Sequence, residues 1–165
     1  MTKRELKEIT LFLSLIATLA TADGVIKARI EDKQRRADKE NGSIEKSILG
    51  NTVRINYLQN RGAALSILKE NPDFLKSLSA SLVATGGCNL VKMCAKEGNI
   101  LDKTGLALMV AGGASNTIDR FSKGYVVDYF SIDKGKKLKN IVFNISDFEI
   151  FAGALLTCIG RFLDK

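Results

Sequence analysis

The sequence predicts a mainly α-helical membrane fold, with four transmembrane helices and a small β-sheet on one side. Three observations point there. Four apolar stretches, residues 9–26, 74–95, 104–118 and 145–163, divide the chain. The first is long enough to cross a bilayer, which takes about 20 mostly apolar residues. Small residues cluster inside the stretches: Gly86 and Gly87, Gly112 to Ala114, and Gly153 with Ala154. In a soluble helix each glycine costs roughly 1 kcal/mol against alanine, whereas membrane helices use small residues to approach closely. Finally, polar residues gather near the ends of the stretches instead of recurring on every turn. The mean hydropathy of +0.04 is low for a membrane protein, so a soluble helical bundle is the competing architecture.

Taken in order, the expected helices run over about 9–26, 74–95, 104–120 and 145–163, within a single domain of residues 1–165. The first follows a basic start (Lys3, Arg4, Lys7). Asp23 and Lys27 at its end fit a signal-peptide cleavage site poorly, so it is expected to be retained. "KARIEDKQRRADKENGSIEKS" (27–47) follows. Its basic residues, Arg29, Arg35 and Arg36 among them, alternate with Glu31, Asp32, Asp38, Glu40 and Glu45, and no aromatic residue is interleaved for base stacking. This reads as a solvated loop and not as a nucleic-acid surface. "NTVRINYLQN" (51–60) has the period of two of a strand. "GYVVDYFSI" (124–132) and "NIVFNI" (140–145) are also β-prone, with "DKGKK" as a turn between them. Two crossings separate 27–73 from 122–144, so these segments share one side and the termini the other. Lys and Arg are plentiful on both sides, and charge does not set the orientation.

Composition narrows the chemistry. The 165 residues carry a net charge of +7 and no histidine, which removes Ser-His and Cys-His catalysis and every histidine-bearing metal site. Cys88, Cys94 and Cys158 lack CxxC spacing and read as small buried hydrophobes, with no disulfide and no metal. Ser66 with Lys69 sits at the start of a polar loop and does not read as a Ser-Lys catalytic pair. The glycines at 112–113 fit no nucleotide-binding pattern. What remains is a set of carboxylates at the ends of apolar stretches: Asp23, Asp119, Asp128 and Asp147. Two carboxylates sharing a partly dry site cannot both ionise easily, so one serves as acid and the other as base toward water. The same residues also fit a purely structural role, pairing with Lys27 and Arg120 as helix-end anchors. Spacing alone leaves both readings open.

Five blocks, "DGVIK" (23–27), "NRGAA" (60–64), "GGASNTIDR" (112–120), "GYVVDYF" (124–130) and "FNISD" (143–147), stand in one order. In that order and spacing the chain resembles the lipoprotein signal peptidases (signal peptidase II) over most of its length. The resemblance implies a multi-pass aspartic peptidase of the bacterial cytoplasmic (inner) membrane, with four transmembrane helices and an extracytoplasmic β-cradle. It implies removal of signal peptides from diacylglyceryl-modified prolipoproteins by cleavage before the lipidated cysteine. Its catalytic pair falls on Asp128 and Asp147. Asp119 becomes a supporting anion, expected to hold Arg120 with Asn116 one turn earlier. Asn60 and Asn144 would donate to the substrate backbone or to the dyad, Gly62 would permit close backbone approach, and Asp23 with Lys27 would pair at i, i+4.

The implied partners are lipid-modified prolipoproteins and membrane lipids, with no nucleic acid, no cofactor and a monomeric state. Activity is expected to survive chelators and thiol alkylation. Two features depart from the family pattern. Ser146 stands where alanine is usual, placed to bond Asp147 or cap the helix, and the charged stretch 31–46 lengthens the first loop. They keep in view a non-catalytic or substrate-divergent membrane paralogue that binds lipidated peptides, and the low mean hydropathy alone keeps a soluble helical interaction protein as a further alternative.

Overall fold

The computed structural model describes residues 1–48, 52–63, 68–98, 100–132 and 141–163. Within them the chain runs α1 (Lys3–Lys39), β1 (Lys46–Ile48), β2 (Val53–Asn60), α2 (Pro72–Cys94), α3 (Ile100–Lys123), β3 (Val126–Ile132), β4 (Val142–Phe143) and α4 (Ile145–Leu163). The fold is mainly helical with a small antiparallel sheet. The "DKGKK" turn, Ala64 and Ser66 lie outside the described residues.

α1 opens with a capping box: Glu5 N donates to the Thr2 hydroxyl at 3.2 Å, and Thr2 N donates to the Glu5 carboxylate at 2.9 Å. Its 37 residues make a rod of about 55 Å. Here the structure corrects the sequence reading, because residues 27–39 are not a loop but the continuation of this helix. Polar side chains that suggested a solvated segment stabilise it at i, i+4 spacing, through the Asp32–Arg36 ion pair at 2.8 Å and the Gln34–Asp38 hydrogen bond at 2.6 Å. Tyr125 and Lys123 tie it down by reaching Glu31 at 2.6 and 3.1 Å. Asn41, at φ 56°, ends it.

Among the described residues, α1 is the one helix long and apolar enough to cross a membrane by length and composition. It buries three side chains, Phe12, Asp23 and Lys27. The other helices also carry large apolar residues on their outer faces, including Leu82, Val91, Phe151, Leu155 and Phe162. Cys94 packs in the core with Phe12, Leu90 and Ala107. Cys88 and Cys158 are exposed and free, contrary to the buried placement expected of all three.

α3 and α4 touch through glycine. A Cβ on Gly153 would lie 2.5 Å from the Gly105 carbonyl oxygen, and one on Gly112 would overlap the carbonyl oxygen of Ser146. No rotamer change relieves a clash with backbone. Gly112→Val should therefore push the start of α4 away from α3, carrying Asp147 with it. The expected result is a loss of about 1–3 kcal/mol, read by thermal unfolding in detergent. Parental stability in Gly112→Val would show the contact to be looser than drawn.

The sheet order is β1-β2-β3-β4, antiparallel throughout. β1 was not legible in the sequence. β3 lies inside, with Val126 to Tyr129 all buried. Ile55 pairs with Phe130 but Leu58 pairs with Asp128, so β2 holds one extra residue between them. Such a bulge twists a strand and re-aims its neighbours, and this one lies beside Asp128. Phe130, Phe143 and Phe148 cluster at 5.1–6.2 Å between ring centres, joining the sheet to the first turn of α4. The opposite end of the bundle is closed by Arg4–Glu97 at 3.0 Å and Lys103–Glu8 at 2.7 Å.

Candidate active site

All ten residues singled out in the sequence lie at the sheet end of the helices. α4 starts there with a second capping box. Asp147 N donates to Asn144 Oδ1 at 2.9 Å, and Asn144 N donates back to Asp147 Oδ2 at 3.1 Å. Asp147 is thus fixed by the way its own helix begins. Asn144 is fully buried, and its side-chain amide donates to Asp128 Oδ1 at 2.7 Å and to Asn116 Oδ1 at 3.2 Å. One residue therefore grips both carboxylates, Asp128 through its side-chain amide and Asp147 through its backbone N–H.

The remaining carboxylate oxygens are also met by donors. Asn60 Nδ2 reaches Asp128 Oδ2 at 3.0 Å, and Asn116 Nδ2 reaches Asp147 Oδ1 at 3.1 Å. Each amide is held in that orientation from behind. Asn60 Oδ1 accepts from Gly62 N at 3.0 Å, and Asn116 Oδ1 accepts from Lys27 Nζ at 2.8 Å. Four N–H groups thus face four carboxylate oxygens. Burial, with the adjacent charge of Asp147 adding to it, pushes the Asp128 carboxyl up to about 7 even though Asn60 and Asn144 donate to its ionised form.

Behind this pair lies an ionic cluster. Lys27 and Asp23 are fully buried and pair at 2.7 Å. Lys27 also pairs with Asp119 at 3.2 Å and donates to Ser115 at 3.1 Å. Asp23 accepts from Ser115 at 2.7 Å, Ser146 at 2.5 Å and Tyr129 at 3.1 Å. Two expectations need correcting. Ser146 bonds Asp23 and not Asp147, because the second helical position points its hydroxyl toward α1. Asp119 does not hold Arg120. It takes Lys27, Lys123 at 3.0 Å and the Val127 amide at 3.3 Å. Arg120 donates instead to the carbonyls of Asn116 and Gly62, both at 3.2 Å. In a helix, neighbours in sequence point about 100° apart, so Asp119 faces α1 while Arg120 faces the sheet.

Sequence reasoning missed Ser115, Tyr129 and Ser146 as partners of Asp23. For Ser115 a signal existed, since it lies four residues before Asp119 and next to Asn116. Tyr129 carried none.

Asp128 and Asp147 line one end of a cavity of about 770 Å³, together with Asn60, Asn116 and Arg120. Its remaining wall is largely apolar, with Leu78, Leu82, Met109, Val110 and Phe151 from α2, α3 and α4. Two buried carboxylates thus share one site, the Asp128 carboxyl raised to about 7, at one end of a mostly apolar cleft. Among the described residues no group of side chains is placed to hold a metal ion.

The chain is similar to known proteins over most of its length. A lipoprotein signal peptidase of Streptococcus pneumoniae is 36% identical over 73% of this chain and 75% of its own length. One from Lactiplantibacillus plantarum is 31% identical over 93% of this chain and 95% of its own. A solved bacterial membrane enzyme, obtained by the in meso method at 1.9 Å resolution, shares the fold with a TM-score of 0.75, covering 94% of this chain and 95% of its own at 23% identity. The family model described as "Signal peptidase (SPase) II" matches residues 15–163, which takes in every residue of the site. The chain belongs to the signal peptidase II family.

Proposed function

We propose that this chain is an aspartic endopeptidase that removes signal peptides from diacylglyceryl-modified prolipoproteins, cutting just before the lipidated cysteine. The observation that carries the reading is the placement of Asp128 and Asp147, held by the same Asn144, at the polar end of an apolar cleft. The cleft suits a lipid-bearing segment, and the carboxylates suit the peptide bond beside it. In this scheme ionised Asp147 takes a proton from water as the water oxygen bonds to the scissile carbonyl carbon. Asp128 gives its proton to the carbonyl oxygen, forming a gem-diol. The gem-diol then returns a proton to Asp128, the C–N bond breaks, and Asp147 passes its proton to the leaving nitrogen.

The four helices are read as membrane-spanning in a multi-pass protein of the bacterial cytoplasmic membrane, forming a single domain over 1–165. Their outward-facing leucines, valines and phenylalanines support this, and the sheet with the carboxylates then lies outside. Cysteine labelling checks the topology: Asp38→Cys should react with an impermeant reagent in intact cells and Glu97→Cys should not. Equal labelling of both would defeat the four-span arrangement.

The scheme fixes the sign of the pH dependence. Below about 7 Asp128 carries its proton. As pH rises through that value the proton is lost, two anions face each other, and no acid remains for the carbonyl oxygen. Turnover in micelles should fall about tenfold per pH unit on the alkaline side, and a flat profile from pH ~6 to ~9 would sink this assignment of roles. The direct test of function is cleavage of a lipidated prolipoprotein peptide. Release of the signal peptide by the parent, and none by Asp128→Asn, is expected. Binding of the peptide by the parent without cleavage would establish the non-catalytic alternative.

A further inference from the structure

The end of the bundle farthest from the carboxylates holds a second cavity, of about 360 Å³. It opens between the last turns of α2, the first of α3 and the last of α4, about 20 Å along α3 from Asn116. Lys92, Lys96 and Arg161 supply three cations to its lining, and Asp102 the one carboxylate. Lys92 and Lys96 make no ion pair among the described residues, and Arg161 approaches Asp102 only at 3.9 Å. The neighbouring Lys103 is not part of the surplus, since Glu8 neutralises it at 2.7 Å. Asp102 is nine-tenths buried, and its Oδ1 has no hydrogen-bond partner, nor has the shielded hydroxyl of Thr157 on the same wall. A buried acceptor without a donor is costly, so the cavity lacks a donor for Asp102, while Lys92, Lys96 and Arg161 are exposed at its mouth and open to an anion. Leu106 and Met93 line its apolar side.

We propose that this cavity binds the headgroup of an anionic glycerophospholipid. The phosphodiester sits among Lys92, Lys96 and Arg161, a headgroup hydroxyl donates to the Asp102 carboxylate where it meets the cavity, and the acyl chains run out past Leu106. One ligand thereby satisfies both needs. A zwitterionic headgroup would fill Asp102 with an ammonium but leave the excess positive charge uncompensated. The proposal rests on reading the helices as membrane-spanning, which brings this end to the lipid headgroups opposite the active site. Basic pockets between membrane helices are suited to such headgroups.

The test uses the purified full chain in an uncharged detergent, with thermal unfolding followed as phosphatidylglycerol, phosphatidylethanolamine or inorganic phosphate is added. Phosphatidylglycerol should raise the Tm saturably. The midpoint of that response should shift about tenfold or more in the Lys92→Gln/Lys96→Gln double variant and less in Lys96→Gln alone. Both variants should keep parental turnover, being remote from the carboxylates. Phosphatidylethanolamine and inorganic phosphate should have little effect at the same concentrations. An unchanged midpoint in the double variant, or no response to phosphatidylglycerol, overturns the site. An equal response to phosphatidylethanolamine overturns the charge argument, and an equal response to inorganic phosphate shows a free-phosphate site and overturns the lipid. A parent that stays dispersed without detergent would instead refute the membrane reading itself, so the two failures are distinguishable.

Discussion

Asp128→Asn and Asp147→Asn should each reduce turnover by about 10²–10⁴-fold, the usual worth of positioned acid–base groups. The double variant should be little worse than either single one, because the pair acts as a unit. The structure adds an effect on stability. All four carboxylate oxygens face N–H donors whose orientations are fixed by Gly62, Lys27 and the start of α4. An asparagine at either position must turn its own NH₂ toward one of them. Each single variant should therefore also lose about 1–3 kcal/mol in thermal unfolding. Adding Asn60→Asp to Asp128→Asn supplies an acceptor for the new amide and still accepts from Gly62 N, so it should recover stability but not turnover. Near-parental turnover in Asp128→Asn would overturn the assignment of the dyad, and full stability of both single variants would overturn the donor-shell argument.

The sequence carried the site further than it carried the fold around it. Asp128, Asp147, Asn60 and Asn144 stood in blocks whose order was readable, and helical spacing placed Asp23 and Lys27 on one face. The partners of Asp23 were not readable, because Ser115, Tyr129 and Ser146 lie 92 to 123 positions away. Only tertiary packing brings them in. The length of α1 was lost for a different reason. Alternating charges describe an exposed helix as well as they describe a loop, and only i, i+4 pairs such as Asp32–Arg36 and Gln34–Asp38 decide between them. Asp119 stands beside Arg120 in the sequence, but helical geometry favours Lys123, four residues on, as its partner.

Lys27→Met should be the most destabilising single change outside the dyad. The ammonium is fully buried and answers two carboxylates, Asp23 and Asp119. Its removal leaves uncompensated buried charge, a loss of about 3–5 kcal/mol. It also frees Asn116 Oδ1, whose amide steadies Asp147, so turnover should fall along with stability. Asp119→Asn should be milder, since Lys27 keeps Asp23 and Lys123 keeps Glu31. Unfolding of both variants in detergent decides the matter. A Lys27→Met protein within about 1 kcal/mol of the parent, or an Asp119→Asn protein that is the weaker of the two, would contradict the network drawn here.

The shell of four N–H donors also sets a rule for inhibitor design. With every carboxylate oxygen already accepting one hydrogen bond from the protein, the pair has only its outward lone pairs, and below about pH 7 the proton on Asp128, to offer a bound molecule. A group seated there must therefore give as well as take. An alcohol does both, and an ammonium can at least give, but a sulfone, nitrile or carboxylate meets oxygen lone pairs with lone pairs of its own. A warhead chosen on that basis, carrying an oily tail for the cleft between α2, α3 and α4, would exploit a hydrogen-bond polarity that the enzyme cannot reverse without unfastening Asn60 from Gly62 or Asn144 from the start of its own helix.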